Sequence, residues 1–401
     1  MDTPRKINVL HLRSSRGAGG GPEKTILFSA KEADPDSFCL HIAYLKSHDD
    51  DAFDLDVRAQ KLGIDRFYAI NERHKLDIRA LKELLRILRE QQIDILHCHC
   101  YKSDLYGLIL SRYYKMKLVT TAHGPLASLR FFWASQNWRV RYIYDQLDLR
   151  FLMKRFDAVL MVSESMRKAI AKYGVDQRKL IYVKNAIDSQ YFRSGHSGNP
   201  ELRDRYGIPR DATVIGAVGR LNGEKDYPML LRAAQLLLKD RQDLWFVIAG
   251  DGPIRAQLQG QAKKMALAER VLFLGNLQDV RPVYEMLDVY VLSSTREGLP
   301  NTVLEAMAME VPIVATDVDG VAEAVTHDSE ALLVPPRDPE RLANSLRLVL
   351  DDARLRDRLV SAARERVERE FSFATRMRRV ESIYRQVMQM QHEPAPAGAV
   401  C

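Results

Sequence analysis

Two glutamates eight positions apart, Glu297 and Glu305, carry the densest chemical signal in this 401-residue sequence. Between them lie Gly298, Leu299, Pro300 and Asn301 and the start of an apolar helical run. The preceding stretch, Val289-Tyr-Val-Leu-Ser293, has the composition of a buried strand, which places Glu297 on the loop at that strand's carboxyl end. Pro300 suits the first turn of a helix, where its missing N–H costs nothing, and Glu305 then falls about one turn inside. Free N–H groups at the helix start and the positive end of its dipole suit a phosphate. One carboxylate on each flank of an anion site offers acceptors for the hydroxyls of a sugar on one side and of a ribose on the other. A sugar nucleotide needs both.

The other chemically loaded residues also follow apolar strand patterns. Gly17-Ala-Gly-Gly-Gly21 comes after Ile7–Leu12 and before a helix starting at Pro22; its glycines, Gly20 and Gly21 among them, allow close backbone approach to an anion. It is not a Gly-x-Gly-x-x-Gly pattern, which argues against a nicotinamide or flavin site. His123 ends the strand Leu118–Ala122 beside Gly124 and can hydrogen-bond a substrate hydroxyl. Gly219-Arg220-Leu-Asn-Gly-Glu-Lys225 follows the strand Val214–Val218. A planar guanidinium and a point-charge ammonium together suit a diphosphate. Gly250-Asp-Gly-Pro253 reads as a turn on the same edge, and Asp317-Val-Asp-Gly-Val-Ala-Glu323 as a further loop.

His97-Cys98-His99-Cys100 has the look of a metal site but the wrong geometry for one. Strand alternation sends the two histidines to one face and the two cysteines to the other, with same-face neighbours about 7 Å apart, and no second cluster completes four ligands. No metal is expected there, nor at Asp54-Leu-Asp56 or Asp317-Val-Asp319.

Strand and helix patterns alternate along the whole chain, as expected for parallel sheets with helices on both faces. The polar, turn-rich stretch 193–200 reads as a linker. The expectation is an α/β protein of two doubly wound Rossmann-like domains, 1–192 and 201–373, facing each other across a cleft. A C-terminal helix at about 374–391 should pack back on the first domain, and 392–401 should be disordered. Ligands of such folds lie at the strands' carboxyl edges.

Composition narrows the class. An apolar content of 46% is ordinary for a globular protein, and no apolar run reaches the roughly 18–20 residues of a membrane span. No signal peptide is evident, so a cytoplasmic protein is expected. Four cysteines in 401 residues argue against a disulfide framework. Residues 1–200 hold 33 Lys+Arg against 23 Asp+Glu, net +10, while 201–401 hold 27 against 30, net −3. An anionic partner for the first half follows; nucleic acid is disfavoured because no nucleic-acid motif accompanies the charge. Within that half, 126–155 mixes Phe131, Phe132, Trp133 and Trp138 with six cations, a composition suited to an anionic membrane surface.

Taken in order and spacing, these elements resemble the family 4 retaining glycosyltransferases of GT-B architecture, over nearly the whole length. The resemblance is carried by Gly20-Gly21-Pro22-Glu23, His123-Gly124, Val162-Ser163, Asn185-Ala-Ile-Asp188, Gly219-Arg220-Leu221, Lys225, Ala249-Gly-Asp-Gly-Pro253, Phe273-Leu-Gly275, Leu332-Leu-Val-Pro335 and, most densely, Glu297-Gly-Leu-Pro-Asn301 through Glu305-Ala306. It implies a UDP- or GDP-linked sugar held mainly by the second domain. Arg220, Lys225 and backbone N–H groups near Thr302 and Val303 would hold the diphosphate, Glu305 the ribose, and Glu297 and His123 the transferred hexose. Gly298, Leu299 and Asn301 would line the same loop, and the first-domain glycines would close over the phosphate. The acceptor would be a glycan or lipid-linked molecule in cell-surface polysaccharide assembly, with no metal or other cofactor. Asp319-Gly320 stands where the family often has paired glycines, which bears on the donor sugar's identity, and Asp226 stands where a glycine often follows the lysine. Sugar-nucleotide epimerases share the architecture and are the competing expectation.

Overall fold

The computed structural model describes residues 5–15, 21–74, 76–123, 151–195 and 198–390. Gly20, the segment 124–150 (with Phe131, Phe132, Trp133 and Trp138) and the tail 391–401 lie outside the described residues.

Strands β1 (Ile7–Ser14), β2 (Phe38–Ser47), β3 (Phe67–Glu72), β4 (Ile95–Cys98), β5 (Lys117–Ala122), β6 (Ala158–Met161) and β7 (Leu180–Tyr182) form one parallel sheet in the order 3-2-1-4-5-6-7. Strands β8 (Thr213–Val218), β9 (Leu244–Ala249), β10 (Val271–Gly275), β11 (Val289–Leu292), β12 (Ile313–Thr316) and β13 (Leu332–Val334) form a second, ordered 10-9-8-11-12-13. Each is doubly wound. The strand order reverses between β1 and β4 in the first and between β8 and β11 in the second, the places where such sheets leave a crevice at their carboxyl ends. The architecture is the expected α/β arrangement of two parallel sheets with covering helices.

Burial on both faces accounts for the continuous apolar runs: all four residues of β4, β6, β11 and β12 are buried. The helix Asn301–Ala308 is anchored by Val303, Leu304, Ala306, Met307 and Ala308, all buried, so its first turn is held at the end of β11. The long helix Phe373–Gln389 leaves the second unit and packs on the first sheet. Its Met377, Val380, Ile383, Tyr384 and Val387 share one core with Val9, Ile95, Val119, Ala158 and Leu160. Glu381 accepts from the Asp34 amide at 2.7 Å, and Arg376 donates to the Lys184 carbonyl at 2.6 Å.

Three local readings need correction. Pro300 is the residue before the helix rather than inside it, with φ −74° and ψ 115°. The stretch expected as a loop after β12 forms a helix, Asp319–Ala324. Two edge strands, β3 and β13, were not expected; β3 has a run of only four apolar residues, Phe67–Ile70, before polar Asn71 and Glu72, and β13 is three residues long.

Candidate active site

The loops after β8 and β11 are stitched together by backbone. Thr295 N donates to the Glu224 carbonyl at 2.8 Å, and the Ser293 hydroxyl to the Lys225 carbonyl at 2.8 Å. This sets the Lys225 ammonium against Glu297: Nζ to Oε1 is 2.6 Å, and the Ser294 hydroxyl donates to the same oxygen at 2.6 Å. Both side chains are largely covered, with 17% and 11% of their surfaces exposed. Arg220, at the end of β8, is exposed. The lysine and the glutamate are thus brought together as a pair, with the guanidinium on the rim of the same edge.

Eight residues on, Glu305 is buried inside the helix. The Tyr284 hydroxyl donates to its Oε2 at 2.9 Å, and the Lys24 ammonium of the first domain stands 3.5 Å from its Oε1. Burial, and then the neighbouring Glu305, push the Tyr284 hydroxyl well above the usual tyrosine range, so it stays a donor. Of the amides at this helix start, Val303 N is taken by the Pro300 carbonyl at 3.1 Å. That leaves the Asn301 and Thr302 amides as the candidates for an anion at this helix start, beside those expected near Thr302 and Val303.

The first domain closes on this loop. Gly21 lies against the Asn301 side chain: a Cβ there would come within 2.7 Å of its amide nitrogen and push that side chain aside. Gly298 lies against the first domain: a Cβ there would meet Val162 at 3.4 Å and the His123 carbonyl oxygen at 3.7 Å. Asn185 donates from Nδ2 to the Leu299 carbonyl at 2.9 Å. Gly320 backs the same loop; any Cβ on it would overlap the Gly298 carbonyl. The departure from paired glycines is Asp319; the reason for keeping its neighbour Gly320 lies in this packing. Lys24, Tyr284 and Ser294 were not singled out from sequence. Lys24 is one residue from the glycine motif, the only signal that could have found it.

His123 ends β5 beside Gly298, as its strand-end position required. It is the half-buried end of a line of four histidines whose other members, His11, His97 and His99, are buried. His123 Nε2 is 2.8 Å from His99 Nδ1, and His99 Nε2 is 2.9 Å from His11 Nδ1. His97 bonds Tyr384 Oη at 2.6 Å through Nδ1 and Thr121 Oγ1 at 2.7 Å through Nε2. The rings of His97 and His99 stack with centroids 4.3 Å apart, closer than the 7 Å expected for the pair. They do so because His11 from the adjacent strand and Tyr384 from the last helix draw them together. Cys98 faces away into the core, as alternation required. Nitrogens of His11, His97 and His99 lie within 4.8 Å of one another. Each already bonds a ring, a tyrosine or a threonine, which accounts for the cluster without an ion. Burial, with Arg376 and the neighbouring histidines, holds all four well below the ordinary imidazole pKa, His11 at about 3. They are neutral near pH 7.

Known proteins share both the architecture and the sequence pattern. The family described as Glycosyltransferase Family 4 matches residues 20–191, and that described as Glycosyl transferases group 1 matches 198–366. The chain is 25% identical over 312 residues to the UDP-Gal:alpha-D-GlcNAc-diphosphoundecaprenol alpha-1,3-galactosyltransferase of Escherichia coli, covering 77% of this chain and 79% of the relative. It is 25% identical over 325 residues to the N-acetyl-alpha-D-glucosaminyl L-malate synthase of Bacillus anthracis, covering 80% and 82%. Among solved structures, Anabaena HepE in complex with UDP and glucose superposes with a TM-score of 0.81 at 20% identity, over 95% of this chain and all of that one. With the two family matches spanning nearly all of both sheets, the chain belongs to the family-4-like glycosyltransferases of GT-B architecture.

Proposed function

We propose that this glycosyltransferase moves a hexose from a UDP- or GDP-linked donor, with retention of configuration, to a lipid-linked or other glycan acceptor in cell-surface polysaccharide assembly. The observation that carries the reading is the Glu297–Lys225 pair beside a helix start whose next acid, Glu305, is buried between Tyr284 and Lys24. In the proposed complex Arg220, Lys225 and the amides of Asn301 and Thr302 face the diphosphate. Glu305 accepts from the ribose, and Glu297 and His123 accept from the hexose. Departure of a nucleoside diphosphate leaves an oxocarbenium-like sugar and a developing dianion. Fixed cations and amides stabilise that charge without reorganising, which is where electrostatic catalysis has its largest effect. A metal ion is not needed for the step, since lysine, arginine and the helix dipole supply the positive charge. The departing phosphate oxygen is then placed to take the acceptor's proton on the face it leaves, which preserves configuration.

The lipid-linked acceptor is supported by the likeness to an enzyme that acts on a diphosphoundecaprenol-linked sugar and by the basic first half. No helix among the described residues is long and apolar enough to cross a membrane, so a peripheral position at an anionic surface is the reading consistent with both. An epimerase is not favoured, because the relatives named above transfer sugars to acceptors.

Thermal denaturation with a panel of nucleotide sugars tests the donor. The true donor at about 100 times its dissociation constant should add roughly 2.7 kcal/mol. Incubating that donor with a diphosphate-linked lipid glycan should release the nucleoside diphosphate and yield an α-linked product. An epimerised donor formed without acceptor would overturn the proposal.

A further inference from the structure

We infer that His99, His11, His97, Tyr384 and Thr121 form a hydrogen-bonded relay that fixes the tautomer of His123, making its Nδ1 a proton acceptor at the donor sugar. The catalytic part rests on the proposed placement of His123; the relay itself does not.

The order of protons follows from counting donors. Every imidazole in the line is neutral, so each has one N–H and one bare nitrogen. Tyr384 has one proton and two ring nitrogens to serve: His97 Nδ1 at 2.6 Å and His11 Nε2 at 3.4 Å. The shorter contact takes the proton. His97 then carries its hydrogen on Nε2 and donates it to Thr121 Oγ1 at 2.7 Å. The Tyr384 oxygen is left to accept from His11 Nε2–H. His11 Nδ1 must then accept from His99 Nε2–H at 2.9 Å, and His99 Nδ1 from His123 Nε2–H at 2.8 Å. His123 is left with a bare Nδ1, which takes no bond from the described residues. Reversing the whole line would give His123 an Nδ1–H and make it a donor. One proton at Tyr384 therefore selects between two states of a ring three bonds away.

The surroundings keep this line closed. His11, His97 and His99 are buried, Arg13 clamps the His99 carbonyl at 2.6 Å, and Arg376, buried on the same helix as the tyrosine, opposes any added charge. Tyr384 sits on the helix that returns from the second unit to the first sheet, so that helix sets the polarity of a residue at the cleft. His99, His11, His97, Tyr384 and Thr121 are positioning residues; only His123 would touch the substrate.

The test is the ring-nitrogen NMR spectrum of full-length protein labelled at histidine, with no substrate present. In the unaltered protein His123 should show a protonated Nε2 and an unprotonated Nδ1. Tyr384→Phe strands an N–H at His11 Nε2 and so favours the reversed line; His123 should switch to the Nδ1–H form. Thr121→Val reaches the same end from the other side. His97 loses its acceptor, moves its proton to Nδ1, and redirects the tyrosine proton to His11. Two variants at opposite ends give the same switch, and either suffices if the other fails to fold. In both, kcat should drop about tenfold or more with KM for the donor little changed. An unchanged His123 tautomer in both variants overturns the relay. So does a stoichiometric shift of the His11, His97 and His99 signals on adding Zn²⁺ alone, which would make the cluster a metal site. A tautomer switch with unchanged turnover overturns the placement of His123 at the sugar instead.

Discussion

The carboxyl edges of the two sheets hold their polar groups in opposite ways. On the first, His11, His97 and His99 are buried and His123 half-buried; all four are neutral and joined in one hydrogen-bonded line, His97 through Tyr384. On the second, Lys225 and Glu297 are charged and paired at 2.6 Å at the rim of the cleft. A buried pair of neutral rings can exchange protons but not partners, because leaving a ring nitrogen unpaired costs its full desolvation. A lysine–glutamate pair with some solvent access can trade its partner for a ligand phosphate or hydroxyl at little net cost. The second edge is therefore built to receive a charged ligand, and the first to present a fixed polar surface beside it.

The sharpest way to break the contrast is to remove the exchangeable charges. Lys225→Ala should lower kcat by about 10²–10³-fold, the usual loss for one preorganised charge contact to a transition state. Arg220→Ala should act in the same direction, less if its exposed side chain is only partly ordered by the ligand. Arg220→Ala should melt near the parent temperature because the side chain is exposed, while Lys225→Ala should melt somewhat lower because it leaves the covered Glu297 unpaired. Steady-state kinetics beside a thermal melt checks this. Near-normal turnover in both would remove the pair from the diphosphate.

The two acids should separate next. Glu305→Ala should weaken binding of the free nucleoside diphosphate by about 1.5–3 kcal/mol, the range for hydrogen bonds to a charged group. Glu297→Gln should leave that binding intact and lower turnover, because the proposed partner of Glu297 is the sugar. Calorimetry with the nucleoside diphosphate alone decides, and the opposite pattern would exchange the two roles.

Acid probes the other edge. The folded pKa values of the four histidines lie below the unfolded value near 6.5, so as pH falls the unfolded chain takes up protons first. Their contribution is whole above pH 6.5 and is lost below it, continuing for His11 towards about 3. Each such histidine gives up about 1.4 kcal/mol per pH unit in that window. Denaturant midpoints should fall steeply from pH 6.5 to pH 5, and His97→Gln should flatten the fall even where it lowers stability at pH 7. A slope unchanged by that substitution would mean the rings are hydrated and charged.

Legibility in the sequence followed the same divide. Groups whose role depends on position along one strand were readable: Lys225 and Glu297 each sit where a buried strand ends, and His123 does too. Groups whose role depends on a second, distant segment were not. His97 and His99 looked like half a metal site because the missing members, His11 and Tyr384, are 86 and 287 residues from His97. Gly320 stood out only as the glycine beside the departing Asp319; its need comes from the Gly298 carbonyl pressed against it. The doubly wound order was implied by alternation alone, whereas edge strand β3 was missed because its apolar run, Phe67–Ile70, is short and gives way at once to polar Asn71 and Glu72.

The smallest effect concerns the contact that holds the two edges face to face. Glu323, in the helix after β12, reaches across the cleft to the start of the first-domain helix Glu164–Ala171. Its carboxylate accepts from the Glu164 amide at 2.9 and 3.0 Å and from the Ser165 amide at 3.4 Å. These are first-turn amides, which otherwise have only Ser163 as a local cap. A carboxylate there gains from the helix dipole as well as from the hydrogen bonds, so its loss should cost about 1 kcal/mol. The cost falls on the closed arrangement alone, because both domains keep their own cores. Glu323→Ala should therefore raise KM for the donor about fivefold while leaving kcat nearly unchanged, and should increase the radius of gyration by small-angle scattering without ligand. Glu323→Gln keeps one acceptor oxygen and should fall between. An unaltered KM and radius in Glu323→Ala would mean that Asn185–Leu299 and Lys24–Glu305 hold the closure without it.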